Sequence, residues 1–266
     1  MISINRSNKG VLTEATGKRV QKRSIYDQNT PFELSRGKFS DFLSCKRCFY
    51  FDIVLGVKVP DMPGWTLNST VDDLLKKEFD ICREKQIPHR IMLKSNLENI
   101  VPYKDVRMDE WRDALRRGIK YKYKDSNITL KGGIDDLWYN NETQEIIIVD
   151  YKSQSSSRPV TTEDYLSSIY HENYKIQLDF YAYLFLMNNF LVSKTAFFYV
   201  ANCRKHETGF NSKLIFDETL VPYRLKTHWI EEKIDEMISV LNSKKLPDIN
   251  PFCQNCACAL ARSEYE

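Results

Sequence analysis

The chain has 266 residues, 42% hydrophobic and 28% charged, with a formal net charge of +3. That is enough for one sizeable core with appendages and excludes a disordered chain. No run approaches the roughly 20 apolar residues that cross a bilayer, so no membrane partner is expected and a cytoplasmic location is. A balance this close to neutral says nothing by itself about nucleic acid.

In chain order, residues 1–36 form a basic, polar stretch with little periodicity, carrying Arg6, Lys9, Lys18, Arg19, Lys22 and Arg23. It reads as a flexible arm able to touch phosphates, or as a solvated tail. A main domain is expected over 37–258 and a tail over 259–266. Pro60-Asp61-Met62-Pro63-Gly64 is a turn-rich break. Val71, Leu74, Leu75 and Phe79 then give helical spacing. Arg112, Arg116, Arg117, Lys120, Lys122 and Lys124 accompany a helical apolar face of Trp111, Leu115 and Ile119. That helix either lines a nucleic-acid groove or is a solvated face. Ile128–Tyr139 reads as one strand, Asn140-Asn141 opens a turn, and Ile146–Val149 is a β-branched strand suited to burial on both faces. Ser153–Pro159 is a polar loop. Tyr165, Tyr170 and Tyr174 either stack on single-stranded bases or pack locally. Tyr174–Met187 reads as an amphipathic to fully buried helix, Thr195–Ala201 and a segment near Lys213–Phe216 as strands, and Trp229–Leu241 as an amphipathic helix.

The most informative stretch is Gly132 to Lys152. Side chains alternate along a strand, so Asp150 and Lys152 share a face while Tyr151 points the other way. A hairpin brings Asp135 beside Asp150. Adjacent acids repel unless a cation sits between them. Mg²⁺ suits such a site because it takes hard oxygen ligands and keeps waters. Lys152 on the same face can orient a water for phosphodiester hydrolysis. The competing reading is a hairpin ending in solvated charges. A third piece is Gln177-x-x-x-Tyr181, four apart and so on one helix face; its plain alternative is a polar edge on a core helix.

Together, Gly132-Gly133-Ile134-Asp135, Asp150-Tyr151-Lys152 and Gln177-Leu178-Asp179-Phe180-Tyr181 resemble the PD-(D/E)XK nuclease superfamily. The nearest likeness is to its RecB-like branch, which includes CRISPR-associated RecB-like exonucleases. The resemblance runs from about Phe39 to Cys258. It implies an α/β (α+β) restriction-endonuclease-like core, a central mixed β-sheet flanked by helices. It also implies Asp135, Asp150 and the carbonyl of Tyr151 as metal ligands, a catalytic Lys152, and Gln177 and Tyr181 beside the site. Relatives usually carry a metal-binding histidine on an early helix. Asp72 stands near that position here, either as an all-oxygen site's third ligand or, with Asp73, as a helix-favouring acid.

Of seven cysteines, Cys82 and Cys203 stand alone and read as small core residues. Cys45-x-x-Cys48 lies early; Cys253-x-x-Cys256-x-Cys258 lies late. Cys45, Cys48, Cys253 and Cys256 make the best four-thiolate set, with Cys258 as a substitute. The relatives' iron–sulfur staple commonly uses one early and three late cysteines, so the count departs from theirs. Either an iron–sulfur cluster or Zn²⁺ accepts four thiolates; a disulfide pair or free thiols are the alternatives. No secretory signal is visible, which favours a metal.

The expected activity is a Mg²⁺- or Mn²⁺-dependent deoxyribonuclease acting on single- or double-stranded DNA, in repair, recombination or phage or CRISPR-type processing. The rivals are a degraded nucleic-acid-binding module on the same fold and a zinc-stapled interaction protein. No Gly-Lys-Ser/Thr phosphate loop appears, so a helicase partner is expected as a separate chain. Exonuclease or endonuclease action, and DNA or RNA, stay open.

Overall fold

The β-branched run Ile146–Val149 sits where its composition predicts, in the central strand of a mixed sheet. The computed structural model describes residues 4–60, 64 and 66–266. The turn expected at Pro60–Gly64 falls, at 61–63, outside the described residues. In chain order the elements are β1 (Phe32–Ser35), α1 (Arg36–Ser44), α2 (Lys46–Ile53), α3 (Thr66–Lys85), α4 (Arg90–Lys94), β2 (Ile100–Pro102), α5 (Met108–Arg112), β3 (Ile119–Lys122) and β4 (Ile128–Gly132). There follow β5 (Asp136–Asn140), β6 (Ile146–Gln154), α6 (Thr162–Ser167), α7 (Glu172–Met187), β7 (Thr195–Cys203), β8 (Phe216–Arg224), α8 (Ile230–Asn242) and α9 (Gln254–Ser263). No helix among the described residues is long and apolar enough to cross a membrane. The chain divides into two compact units. One holds 1–64, 122–129 and 231–266; the other holds 65–121 and 130–230.

The second unit carries a five-stranded sheet in the order β2-β5-β6-β7-β8. β6 and β7 run parallel, and the other neighbours are antiparallel. This is the expected mixed sheet flanked by helices. Alternation along β6 sorts its residues. Ile147, Val149 and Tyr151 join Trp138, Phe197 and Tyr199 in a core cluster capped by Leu75 and Phe79 of α3. Residues of the other parity include Asp150, which meets Gln177 of α7. The middle of α7, Gln177–Phe185, is buried all round, the fully buried of the two forms open to it. Burying each large side chain here contributes about 1.5–3 kcal/mol.

Two expected elements differ. The single strand over Ile128–Tyr139 is two, β4 and β5, with a break at 133–135. Glycines make that break possible. A Cβ on Gly132 would lie 2.8 Å from the Tyr181 ring, and one on Gly133 would lie 2.3 Å from the Cβ of Ala114. The basic helix over Trp111–Lys124 stops at Arg112, Leu115 is exposed and Ile119 enters β3. Gly118 turns the chain with φ +74, and a Cβ there would meet the Gly132 carbonyl at 2.3 Å. Strand pairing overrides the helical period at this point.

In the first unit, β1 lies against the tip of the β3–β4 hairpin, where the Phe32 amide donates to the Asn127 carbonyl at 2.9 Å. Tyr26 is buried, and its hydroxyl donates to the Asn242 side chain at 2.7 Å. Arg19 of the basic stretch grips Asp52 with two hydrogen bonds of 2.6 and 2.9 Å. α9 packs on α2, and Tyr50 and Arg47 of α2 donate to the carbonyls of Ser243 and Pro247.

Candidate active site

Strand geometry, a glycine-enforced bend and one buried helix converge on Asp150. The antiparallel register pairs Asp136 with Val149, so Asp135, one residue earlier and outside the ladder, stands beside Asp150. Its Oδ2 accepts from the Tyr151 backbone N–H at 2.8 Å. Asp150 is fully buried. Its Oδ1 accepts from Gln177 Nε2 at 2.6 Å, and the same amide nitrogen lies 3.3 Å from the Tyr181 hydroxyl. The Lys152 ammonium lies against Asp150 Oδ2 and 3.4 Å from the Tyr151 carbonyl. The structure therefore brings together Asp135, Asp150, Tyr151, Lys152, Gln177 and Tyr181. Asp72, on α3, is held by Lys76 at 2.6 Å.

The electrostatics mark a shortage of positive charge. Burial pushes the Asp150 carboxyl up to about 7, with Lys152 opposing and the charge of Asp135 adding to the rise. Burial and then the charge of Asp135 also raise Asp72. For Lys152, burial pulls its pKa down, but the Asp150 and Asp135 carboxylates outweigh it and the net shift is upward. Asp150 Oδ2 is buried and faces the Lys152 ammonium. Asp72 and Asp150 are both raised by burial and by the charge of Asp135, and a cation among these carboxylates would oppose that rise. The available donors are the carboxylates of Asp72, Asp135 and Asp150 and the carbonyl of Tyr151. An all-oxygen set fits a hard divalent ion.

Beneath the site lies a network that pattern reading missed. Asp136, fully buried, accepts from the Tyr151 hydroxyl at 2.6 Å, from Arg112 at 3.2 Å and from Arg83. Arg112 also donates to the Asp135 carbonyl at 3.1 Å and to Asp80 at 2.8 Å. So Arg112 faces inward and holds the Asp135 loop, instead of lining a groove. The signal was present: Asp72, Lys76, Asp80 and Arg83 form a charged stripe at helical spacing beside the apolar stripe of α3.

The tyrosines separate. Tyr165 is buried, Tyr170 is exposed, and the Lys152 ammonium sits over the Tyr174 ring at 4.7 Å. Cys82 and Cys203 are half-buried. In the first unit, the ligand atoms of Cys45, Cys48, Cys253 and Cys256 lie within 4.8 Å of one another, a group able to bind a metal. Cys258 is exposed and outside that group.

With known proteins, residues 67–260 match the family model of the PD-(D/E)XK nuclease superfamily. No curated protein matches the chain. Among solved structures, the chain is similar to a crystal structure from Eubacterium rectale of a protein named as a candidate exonuclease. The two are 14% identical over 91% of this chain and 94% of that one, with a TM-score of 0.42.

Proposed function

The chain belongs to the PD-(D/E)XK nuclease superfamily, a hydrolase fold acting on nucleic acid, and from that premise we propose a Mg²⁺- or Mn²⁺-dependent deoxyribonuclease of the RecB-like kind. One observation carries the reading: Asp135 and Lys152, seventeen positions apart by number, both meet at Asp150 and the Tyr151 backbone. The carboxylates of Asp135, Asp150 and Asp72 and the Tyr151 carbonyl would hold the cation, which would supply polarisation of the scissile phosphate and a more acidic water. Lys152 positions the attacking water and balances charge that builds on the phosphorane. Gln177 fixes Asp150 through Oδ1, which leaves Oδ2 turned toward the lysine. Tyr181, beside the Gln177 amide, supports the lysine or the DNA strand. The Gln177-x-x-x-Tyr181 pair at this position supports the RecB-like assignment. A DNA-processing role with a separate helicase chain belongs to the same reading.

The test is cleavage of single- and double-stranded DNA and of RNA by the purified chain, with Mg²⁺ or Mn²⁺. Asp150→Ala and Lys152→Ala should each lower DNA cleavage by about 10²–10⁴-fold with an unchanged circular-dichroism spectrum. Wild-type-like cutting by either variant refutes the assignment. Tight DNA binding with no cleavage under either cation favours the degraded module, for which the departure at Asp72 is the motive.

A further inference from the structure

We propose that Cys45, Cys48, Cys253 and Cys256 hold one zinc ion in a closed four-thiolate site, and not an iron–sulfur cluster. The distances between sulfurs decide between the two. Cys48 Sγ lies 3.5 Å from Cys253 Sγ and 3.6 Å from Cys256 Sγ, and Cys45 Sγ lies 3.7 Å from Cys256 Sγ. All four lie within 4.8 Å of one another. A tetrahedral ion with Zn–S bonds of about 2.3 Å sets its sulfurs about 3.8 Å apart. In a cubane the thiolates radiate from four separate iron corners, which spreads them well beyond such a tetrahedron. These sulfurs are gathered around a single point.

The local chain geometry agrees. Each thiol pair is a Cys-x-x-Cys whose first member caps a helix, Cys45 for α2 and Cys253 for α9. The Cys48 amide approaches Cys45 Sγ at 3.5 Å, and Cys253 stands at the matching cap position of α9. Two helix N-termini, each with its positive end at the sulfurs, favour thiolates there. Two pairs of donors make four, which closes the coordination of zinc, and the fifth nearby thiol, Cys258, stands exposed outside the group. A cavity of about 470 Å³ reaches Cys45, Cys48 and Cys253, so a chelator has a route in. The inference stands apart from the nuclease reading, because none of its residues belongs to the acidic site.

The full-length protein, purified with and without air and with no metal added, should be colourless and carry about one zinc per chain by mass spectrometry. Exchange with Co²⁺ should give the visible absorption of tetrahedral thiolate coordination. Cys256→Ser should weaken zinc retention against a competing chelator at least about tenfold, while Cys258→Ser and Asp150→Asn keep the metal. If Cys256→Ser does not fold, the Co²⁺ spectrum of the unaltered chain decides. A brown protein with iron and acid-labile sulfide overturns the proposal. So does metal loss in Cys258→Ser, or a folded wild-type chain that takes up neither zinc nor cobalt. Zinc loss in Asp150→Asn would place the ion at the acids and overturn it too. Failure of cleavage with zinc retained would count against the nuclease reading alone.

Discussion

Asp150 shows how far burial moves a carboxylate from its ordinary behaviour. Its pKa stands at about 7 in the fold, against an ordinary 3.8. The folded chain therefore keeps a proton that the unfolded chain releases between those values. Cation-free protein should lose stability as pH rises through that window and level off above about 7. Saturating Mg²⁺ or Mn²⁺ should offset the loss, because it favours the ionised site. Cation affinity should accordingly strengthen, up to roughly tenfold per pH unit, between about pH 6 and 7. Melting curves at several pH values, with and without Mg²⁺, check both; a flat melting temperature across that range contradicts them. Asp136 carries the opposite kind of burden. It is the fully buried, shared acceptor of two guanidiniums and a tyrosine. Asp136→Ala takes from Arg83, whose side chain is 9% exposed, its buried carboxylate and leaves it Asp80 and the Tyr103 carbonyl, which should cost about 3–5 kcal/mol. Urea denaturation measures it, and a loss under about 1 kcal/mol would show that the network is not structurally coupled.

At the scale of elements, the site depends on a strand that stops. β4 ends at Gly132, where the Tyr181 ring and Leu184 occupy the space of a side chain. The bend that follows swings Asp135 out of the ladder and into reach of the Tyr151 amide. Gly132→Ala inserts a methyl against the ring of a site residue, and overpacking of this kind costs about 1–3 kcal/mol. The variant should fold with lower melting temperature and lose cleavage more than stability, since Asp135 and Tyr181 both shift. Unchanged cleavage would separate the bend from the site. The helix-versus-strand error at Ile119 belongs to this scale as well. Its apolar spacing with Trp111 and Leu115 is helical, but Gly118 at φ +74 turns the chain and β4 offers a ladder. Neither partner is visible in a local window.

Across the whole molecule, distant stretches of chain make local structures. The first unit draws on residues 1–64 and 231–266, and α9 packs on α2 within it. A chain that ends at Asp248 loses α9, Cys253 and Cys256 together. Limited proteolysis should then cut within α1 and α2, which the full chain protects. Protection equal to that of the full chain would mean that α9 is an ornament of this unit. The parallel pairing of β6 with β7 likewise closes across α6 and α7, a non-local contact with a loop-closure cost.

By itself the sequence determined the pieces with short-range signatures. The β-branched run gave β6, the alternation of Asp150, Tyr151 and Lys152 put acid and amine on one face, and the apolar stretch to Met187 gave α7. The paired Cys-x-x-Cys motifs announced a thiol group. Those signals are periodic or spaced within a few residues, so a window reads them. Tertiary structure alone decided what meets what. It put Asp136 rather than Asp135 into the buried arginine network, left Cys258 outside the thiols and bent the chain where two glycines admit neighbouring side chains. Such outcomes depend on volumes and charges brought from far along the chain, and no local pattern encodes the neighbour that fills the space.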